Sequence, residues 1–168
     1  MEILKYGNLT LKEKANEVST FDDQLIKYAN EMYEKMLIDN GIGLAAPQVG
    51  LLIQLIVIDI EDGNARLDLV NPRIINTSEE IVEAEEGCLS VPGIYAKVKR
   101  FANITVEARN LYGETFNFQA DQLLSRVIQH EIDHLNGILF IDRIDEITKK
   151  KFRSELKKIK KKYNKILV

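Results

Sequence analysis

The chain has 168 residues and a net charge of -3, with 45% hydrophobic and 29% charged residues. This length and composition are typical of one globular domain, here expected over residues 1–168, and not of a disordered or fibrous protein. No run approaches eighteen apolar residues and the first residues do not resemble a signal peptide, so we expect neither a membrane span nor export. A single cysteine, Cys88, excludes an internal disulfide and favours a reducing, cytoplasmic location.

The first part of the chain predicts one amphipathic helix. Thr10-Leu11-Lys12-Glu13 has the capping-box pattern of a helix start, and Thr20-Phe21-Asp22-Asp23 is a weaker form of it. After the second pattern, apolar residues recur at helical spacing: Leu25, Ala29, Met32 and Met36, widened by Ile26, Tyr33 and Leu37. This helix should end near Asn40-Gly41.

The middle of the chain predicts strands. Residues 51–60 form a β-branched apolar run suited to a buried strand. Shorter candidates follow at 67–70, 95–99, 103–108 and 115–119, with turn residues between some of them at Asp62-Gly63, Asn71-Pro72 and Tyr112-Gly113-Glu114. Because no helical pattern separates these strands, we expect antiparallel pairing.

Two helices are predicted after the strands. The first should run from Asp121, a good N-cap, to Asn136, with Gly137 as its stop. The second should cover about 148–163 within a lysine-rich segment that continues to residue 165. Residues 149–165 contain ten basic residues and one acidic residue, which favours an anionic partner such as nucleic acid or a membrane surface. The predicted class is α+β.

The helix at 121–136 carries the pattern HExxH, from His130 to His134. Two imidazoles at i and i+4 lie on one face and can share a cation, and Glu131 can take a proton from a metal-bound water. The alternative is a helix that carries two solvated histidines by chance. We favour the metal site for two reasons. The chain has no histidines other than these two, and burying His130, Glu131 and His134 in a mostly apolar helix costs free energy unless they are paired or bind a metal.

A catalytic metal site usually needs a third protein ligand. The candidates are Cys88 and the acids after the helix, which are Asp142, Asp145, Glu146 and Glu155. We favour Cys88, because the glycines and proline of Glu86-Gly87-Cys88-Leu89-Ser90-Val91-Pro92-Gly93 indicate an unusual backbone path. A thiolate with two imidazoles suits iron(II), zinc, nickel or cobalt.

A third unusual segment is Gly41-Ile42-Gly43-Leu44-Ala45-Ala46-Pro47-Gln48-Val49-Gly50. Its small residues allow close approach of the backbone to a ligand, and Gln48 offers an amide donor. It lacks the pattern of a phosphate-binding loop. Taken alone, it is better explained as a helix end that turns into the following strand.

Together, these segments resemble the signature of the peptide deformylase family, which has GxGxAAxQ, EGCLS and QHExDH in this order. They lie here at residues 41–48, 86–90 and 129–134, with no departure at a defining position. The resemblance extends along nearly the whole chain. It implies antiparallel β-sheets packed around a central HExxH-bearing helix, with an N-terminal helix and a basic C-terminal helix.

The resemblance also implies the chemistry. The substrate would be a nascent chain that starts with N-formylmethionine, and a metal-bound hydroxide would attack the formyl carbon and release formate. The family's metal ligands correspond to Cys88, His130 and His134, and its ion is usually iron(II), which zinc, nickel or cobalt can replace. Glu131 would be the general base and then the acid, and the Gln48 side chain and the Leu89 N–H would stabilise the oxyanion.

By the same resemblance, the methionine pocket is assigned to Ile42, Leu123 and Val127, and backbone bonds to the peptide are assigned to Gly43 and Gly87. Glu86 and Arg100 are predicted to form a pair that orients Cys88 or its loop; the alternative for Arg100 is a solvated charge. Two roles are predicted for the C-terminal helix at 148–165: docking to ribosomal RNA, and packing on the domain as a solvated amphipathic helix. Both can hold at once, because the apolar residues and the lysines lie on different faces. The small size favours a monomer.

Two other functions remain open at this stage. HExxH is also common in metallopeptidases, which would need a third ligand after the helix. A non-enzymatic module could instead use a closed metal site for stability and the basic segment to bind RNA.

Overall fold

The computed structural model describes residues 1–61 and 63–164, so Asp62 in the predicted turn and Lys165 at the end of the basic segment lie outside the described residues. Its elements, in chain order, are α1 (Asp23–Ile38), β1 (Gly43–Ala45), β2 (Leu55–Ile58), β3 (Leu67–Thr77), β4 (Ile81–Cys88), β5 (Val91–Phe101), β6 (Asn103–Arg109), β7 (Thr115–Asp121), α2 (Gln122–Leu135), α3 (Glu146–Lys151) and α4 (Arg153–Asn164). The predicted α+β class is confirmed.

The strands form two antiparallel sheets. One has five strands in the order β1-β2-β3-β6-β7, and the other is the β4-β5 hairpin. Neighbouring residues of β2 face opposite sides: Leu55 and Val57 pack with α1, whereas Ile56 and Ile58 pack with α2. Helix α2 contacts strands of both sheets, so it occupies the centre of the fold.

Helix α1 buries the predicted residues Leu25, Ala29, Met32 and Met36. Its cap is Asp22, whose side chain accepts a hydrogen bond from the Leu25 N–H at 3.0 Å. The helix start predicted at Thr10 is wrong. Only a 3-10 turn forms there, over Leu9–Lys12, and Leu11 is its one buried residue. A single apolar side chain provides too little burial to support an isolated helix.

The strand predictions differ from the structure at four places. Of the strand predicted over residues 51–60, only Leu55–Ile58 forms β2. Asn71-Pro72, expected to separate strands, lies inside β3, where the register shifts and Asn71 adopts a positive φ of 50°. The glycine-rich segment contributes a short strand, β1, which pairs with β2. Strand β4 was not predicted because it is rich in glutamate. Its acids Glu83 and Glu85 lie opposite Lys99 and Lys97, and such cross-strand pairs of opposite charge stabilise a hairpin.

Helix α2 was predicted to within one residue at each end. The last predicted helix is in fact two, α3 and α4, separated at Phe152. Leu156 and Ile159 of α4 are buried with Val91 and Ile94 of β5, while the lysines of α4 remain exposed. Over the part of the chain that the structure describes, no helix is long and apolar enough to cross a membrane.

Candidate metal centre

Helix α2 and the β4-β5 hairpin bring three metal-binding side chains together. His130 and His134 lie one turn apart on α2, and Cys88 is the last residue of β4. Cys88 Sγ lies 3.3 Å from His134 Nε2, and the ligand atoms of the three residues all lie within 4.8 Å of one another. Because metal–ligand bonds of about 2.0–2.3 Å bring donor atoms to within about 4 Å of one another, this group fits a single transition-metal ion.

The acids considered as third ligands have other partners or positions. Asp142 accepts hydrogen bonds from Lys12 and Lys149, and Asp145 caps α3 through the Thr148 N–H. Glu146 and Glu155 lie on α3 and α4. Among the described residues, the compact group of possible ligands is therefore Cys88 with the two histidines.

Both imidazoles are prepared for metal binding. His130 Nδ1 lies 2.9 Å from Glu86 Oε2, which fixes the orientation of the ring and leaves Nε2 for the ion. Burial and the nearby His130 lower the pKa of His134 well below its ordinary value. His134 therefore stays neutral, the form in which histidine binds metals.

Glu86 lies in a buried network of charges. Arg100 donates two hydrogen bonds to it, of 2.9 and 3.0 Å, and Arg126 donates a third of 2.8 Å. Arg100 also donates to Asp133 at 2.6 Å, and Arg143 donates to the same carboxylate. Burial raises the pKa of Glu86, but the hydrogen bonds to His130 and Arg100 outweigh it and lower the pKa to about 2.

This network differs from the sequence prediction in one respect. Arg100 is only 5% exposed, so the solvated alternative does not apply. The Glu86–Arg100 pair was expected to orient Cys88 or its loop, whereas its direct contact is with the ring of His130. Arg126, Asp133 and Arg143 were missed. Arg126 lies one turn before His130 on α2. This i, i+4 spacing could have indicated from the sequence that the two side chains lie on the same face of the helix.

Glu131 presents a buried carboxylate to the site. Burial raises its pKa to about 7, although the charge of His130 acts in the opposite direction. Within the described residues, its Oε2 atom has no hydrogen-bond partner. A buried oxygen without a partner is unusual, and here it is free to accept a proton.

Gln48 and the turn at Leu89-Ser90 border the metal group. The Gln48 side chain accepts a hydrogen bond from the Ala45 N–H at 2.8 Å and donates to Ser90 Oγ at 3.1 Å. Its Nε2 atom lies 3.6 Å from Cys88 Sγ. Leu89 and Ser90 form the two-residue turn of the hairpin, directly after Cys88.

A cleft of roughly 770 Å³ opens onto these groups. It is lined by all five residues predicted to bind substrate: Ile42, Gly43, Gly87, Leu123 and Val127. The structure adds Ile38, Tyr95, Arg126 and Lys5 to the lining. Lys5 had no sequence signal, because it reaches the cleft through tertiary contacts.

A family model described as polypeptide deformylase matches residues 1–150. This chain belongs to the peptide deformylase family. The deformylase of Helicobacter hepaticus is 44% identical over 168 residues, which cover 96% of this chain and 92% of that protein. Peptide deformylase 1 of Bacillus anthracis is 46% identical over 144 residues, or 86% of this chain and 92% of its own length.

The fold agrees with solved deformylases. Arabidopsis thaliana peptide deformylase 1B, in complex with an inhibitor, superposes with a TM-score of 0.93 at 40% identity, covering 98% of this chain and 93% of that one. The chain is therefore a hydrolase of protein biosynthesis, of a metal-dependent family that acts on nascent peptides.

Proposed function

We propose that the chain removes the formyl group from the N-terminal N-formylmethionine of newly made polypeptides and releases formate. One observation carries the proposal: the Cys-His-His donor group lies beside Glu131, whose buried Oε2 atom has no partner among the described residues, and Cys88, His130 and Glu131 line one cleft. This arrangement supplies a metal position and a base for hydrolysis of an amide. Substrate class, mechanism and residue roles are parts of the same proposal.

Cys88, His130 and His134 would hold the metal, with iron(II) as the native ion and zinc, nickel or cobalt as substitutes. One thiolate and two imidazoles suit each of these ions. When bound, such an ion lowers the pKa of a coordinated water from about 15.7 to about 7 and polarises a carbonyl oxygen. Glu86 orients His130 through the hydrogen bond to Nδ1, and Arg100 holds Glu86 in the ionised form.

Glu131 acts as the base and then as the acid. Its Oε2 atom has no partner among the described residues and can accept the proton of the attacking water. A pKa of about 7 suits both the uptake and the release of this proton at neutral pH. The same carboxyl group then protonates the nitrogen of the departing methionine.

Two donors would stabilise the oxyanion that forms on the formyl group. They are Nε2 of Gln48 and the backbone N–H of Leu89. Gln48 is held on its other side, because its carbonyl oxygen accepts from the Ala45 N–H. The loss of one such donor typically costs about 3 kcal/mol of transition-state stabilisation.

The cleft would bind the peptide through one side chain and its backbone. Ile42, Leu123 and Val127 provide apolar walls for the methionine. Gly43 on β1 and Gly87 on β4 offer backbone hydrogen bonds, and β1 is an edge strand of its sheet. An extended peptide added at such an edge is recognised through its main chain, so its sequence beyond methionine matters less.

The test uses formyl-Met-Ala and acetyl-Met-Ala with protein prepared without oxygen. Glu131→Gln should abolish hydrolysis of the formyl peptide and retain the metal, whereas Glu83→Gln, an exposed control on β4, should retain activity. Full activity of the Glu131 variant would refute its assigned role. Metal content measured in the same samples identifies the native ion.

The same peptides separate the alternatives. Hydrolysis of the acetyl peptide, or of an internal bond, would favour a metallopeptidase. Bound metal without turnover of either peptide would favour a structural metal site. The cleft supports the deformylase, since Cys88, His130 and Glu131 all line it.

We further propose that the basic face of α4 docks to ribosomal RNA. Its lysines are exposed, whereas Leu156 and Ile159 are buried, so the two roles considered for this segment use different faces. Reversal of charge at Lys157, Lys158 and Lys161 should weaken ribosome binding and leave hydrolysis of formyl-Met-Ala unchanged. Normal binding by this variant would contradict the proposal. The single domain over residues 1–168 and the monomeric state remain predictions, and sedimentation tests the latter.

A further inference from the structure

Three consecutive N-terminal residues bind both segments that carry the proposed oxyanion donors. The Leu4 N–H donates to the Gln48 carbonyl at 2.7 Å, and the Tyr6 N–H donates to the Ser90 carbonyl at 2.8 Å. Between them, Lys5 Nζ donates to the Leu89 carbonyl at 2.7 Å. A short segment far away in sequence therefore holds the two donor segments at a defined separation.

Lys5 differs from its two neighbours in this segment. The bonds of Leu4 and Tyr6 come from the backbone, so nearly any residue could make them. The bond from Lys5 comes from a side-chain ammonium, and hydrogen bonds from charged donors are about twice as strong as neutral ones. Of the three bonds, only the one from Lys5 therefore depends on which amino acid occupies its position.

The Leu89 carbonyl lies in a turn, between the paired residues Cys88 and Val91. Leu89 and Ser90 are the turn of the β4-β5 hairpin, and turns are more mobile than the strands they connect. The Leu89 N–H and the Leu89 carbonyl belong to successive planar peptide units, which are joined only through the φ and ψ rotations of Leu89. A fixed carbonyl therefore reduces the backbone rotations that redirect the N–H. An oxyanion donor must point in the correct direction before the charge develops.

The Lys5 side chain is itself confined. It is half-buried, and its ammonium lies 6.0 Å from the centre of the Tyr163 ring on α4. Tyr163 packs in the same cluster as Leu4 and Tyr6. The Lys5 ammonium therefore has the Tyr163 ring of the last helix near it as well as the Leu89 carbonyl.

We propose that Lys5 is a positioning residue of the oxyanion site, which holds the Leu89 turn so that its N–H points at the reacting formyl group. This inference rests on the proposed function, in particular on the role of the Leu89 N–H. Although Lys5 lines the cleft, its ammonium is bonded to the Leu89 carbonyl, so in this proposal it acts through Leu89 and not on the substrate. Its loss should therefore lower kcat and leave KM unchanged.

The test compares Lys5→Met, which keeps the length of the side chain, with Lys5→Arg, which restores a charged donor. Lys27→Met, at an exposed position on α1, is the control. With formyl-Met-Ala and equal metal content, Lys5→Met should lower kcat about tenfold, since a misplacement of 1 Å can cost about a hundredfold. Lys5→Arg should recover most of this loss.

A second measurement is independent of turnover. Hydrogen–deuterium exchange of the Leu89 and Ser90 amides should be faster in Lys5→Met than in the control, in both metal-free and metal-loaded protein. Unchanged exchange together with unchanged kcat would overturn the proposal. A raised KM with normal kcat would also overturn it, because Lys5 would then contact the peptide directly.

Gln48→Leu separates this inference from the proposed function. Loss of this donor should lower kcat about a hundredfold or more if the oxyanion site is as described. If this variant is impaired and Lys5→Met is not, only the role of Lys5 fails. If Gln48→Leu keeps full kcat with normal metal content, the oxyanion assignment fails, and the role of Lys5 fails with it.

Discussion

Gly43→Ala tests how closely β1 approaches the proposed base. A β-carbon on Gly43 would lie 2.5 Å from Glu131 Oε1 and 2.8 Å from Val127 Cγ1. Ordinary contacts of this kind begin at 3.4 Å, so the carboxylate or the strand must move by about 0.9 Å. Both groups are constrained, because Glu131 lies on a buried helix and β1 is paired with β2.

The expected effect follows from this displacement. A misplacement of about 1 Å at a catalytic group can reduce the rate about a hundredfold. This corresponds to about 2.7 kcal/mol of transition-state stabilisation. The assay is kcat for formyl-Met-Ala, with metal content and melting temperature measured on the same preparation.

Gly113→Ala is the matched control. Gly113 lies in the turn between β6 and β7, outside the cleft, and its φ of 87° makes an alanine there strained. This control should lose stability and keep its kcat, whereas Gly43→Ala should lose kcat with a smaller change in melting temperature. A Gly43→Ala variant with full kcat would refute the close contact with Glu131.

Two further predictions concern stability. The Glu86 pKa of about 2 lies below the value of about 4.3 expected for an unfolded chain. The ionised carboxylate therefore contributes up to about 3 kcal/mol above pH 4.3, and this contribution is lost as the pH falls towards 2. Glu86→Gln should accordingly reduce the fall in unfolding free energy between pH 5 and 3, measured by urea denaturation; an unchanged pH slope would contradict the assigned ionisation. Leu156→Ala, which truncates a buried side chain of α4, should destabilise the fold by about 2–4 kcal/mol, and a loss below 1 kcal/mol would contradict the packing of α4 on β5.

Elements with a local signal were predicted well. Helix α1 follows from the spacing of Leu25, Ala29, Met32 and Met36, and α2 follows from its apolar face and its caps. Both signals depend on residues within a few positions of one another. The errors lie where distant residues decide the structure: β4 forms because its glutamates meet the lysines of β5, and Asn71-Pro72 is tolerated inside β3 as a bulge.

The sequence by itself determined the pair of histidines and their glutamate. Helical geometry places residues i and i+4 on one face, so the HExxH pattern alone predicts two neighbouring metal ligands and a nearby carboxylate. Cys88 could be favoured from the sequence as the third ligand, but not assigned, since its distance from His134 depends on how the hairpin packs against α2.

Only the tertiary structure decided what surrounds that metal group. Arg126 and Arg100 meet at Glu86, and Lys5 reaches the Leu89 turn, over separations of 14 to 84 residues. No periodic pattern encodes such contacts, because they form when separate elements are brought together by the burial of their apolar faces. The two histidine ligands are thus given by local spacing, whereas Cys88 and the groups that orient the ligands are brought to the site by the fold.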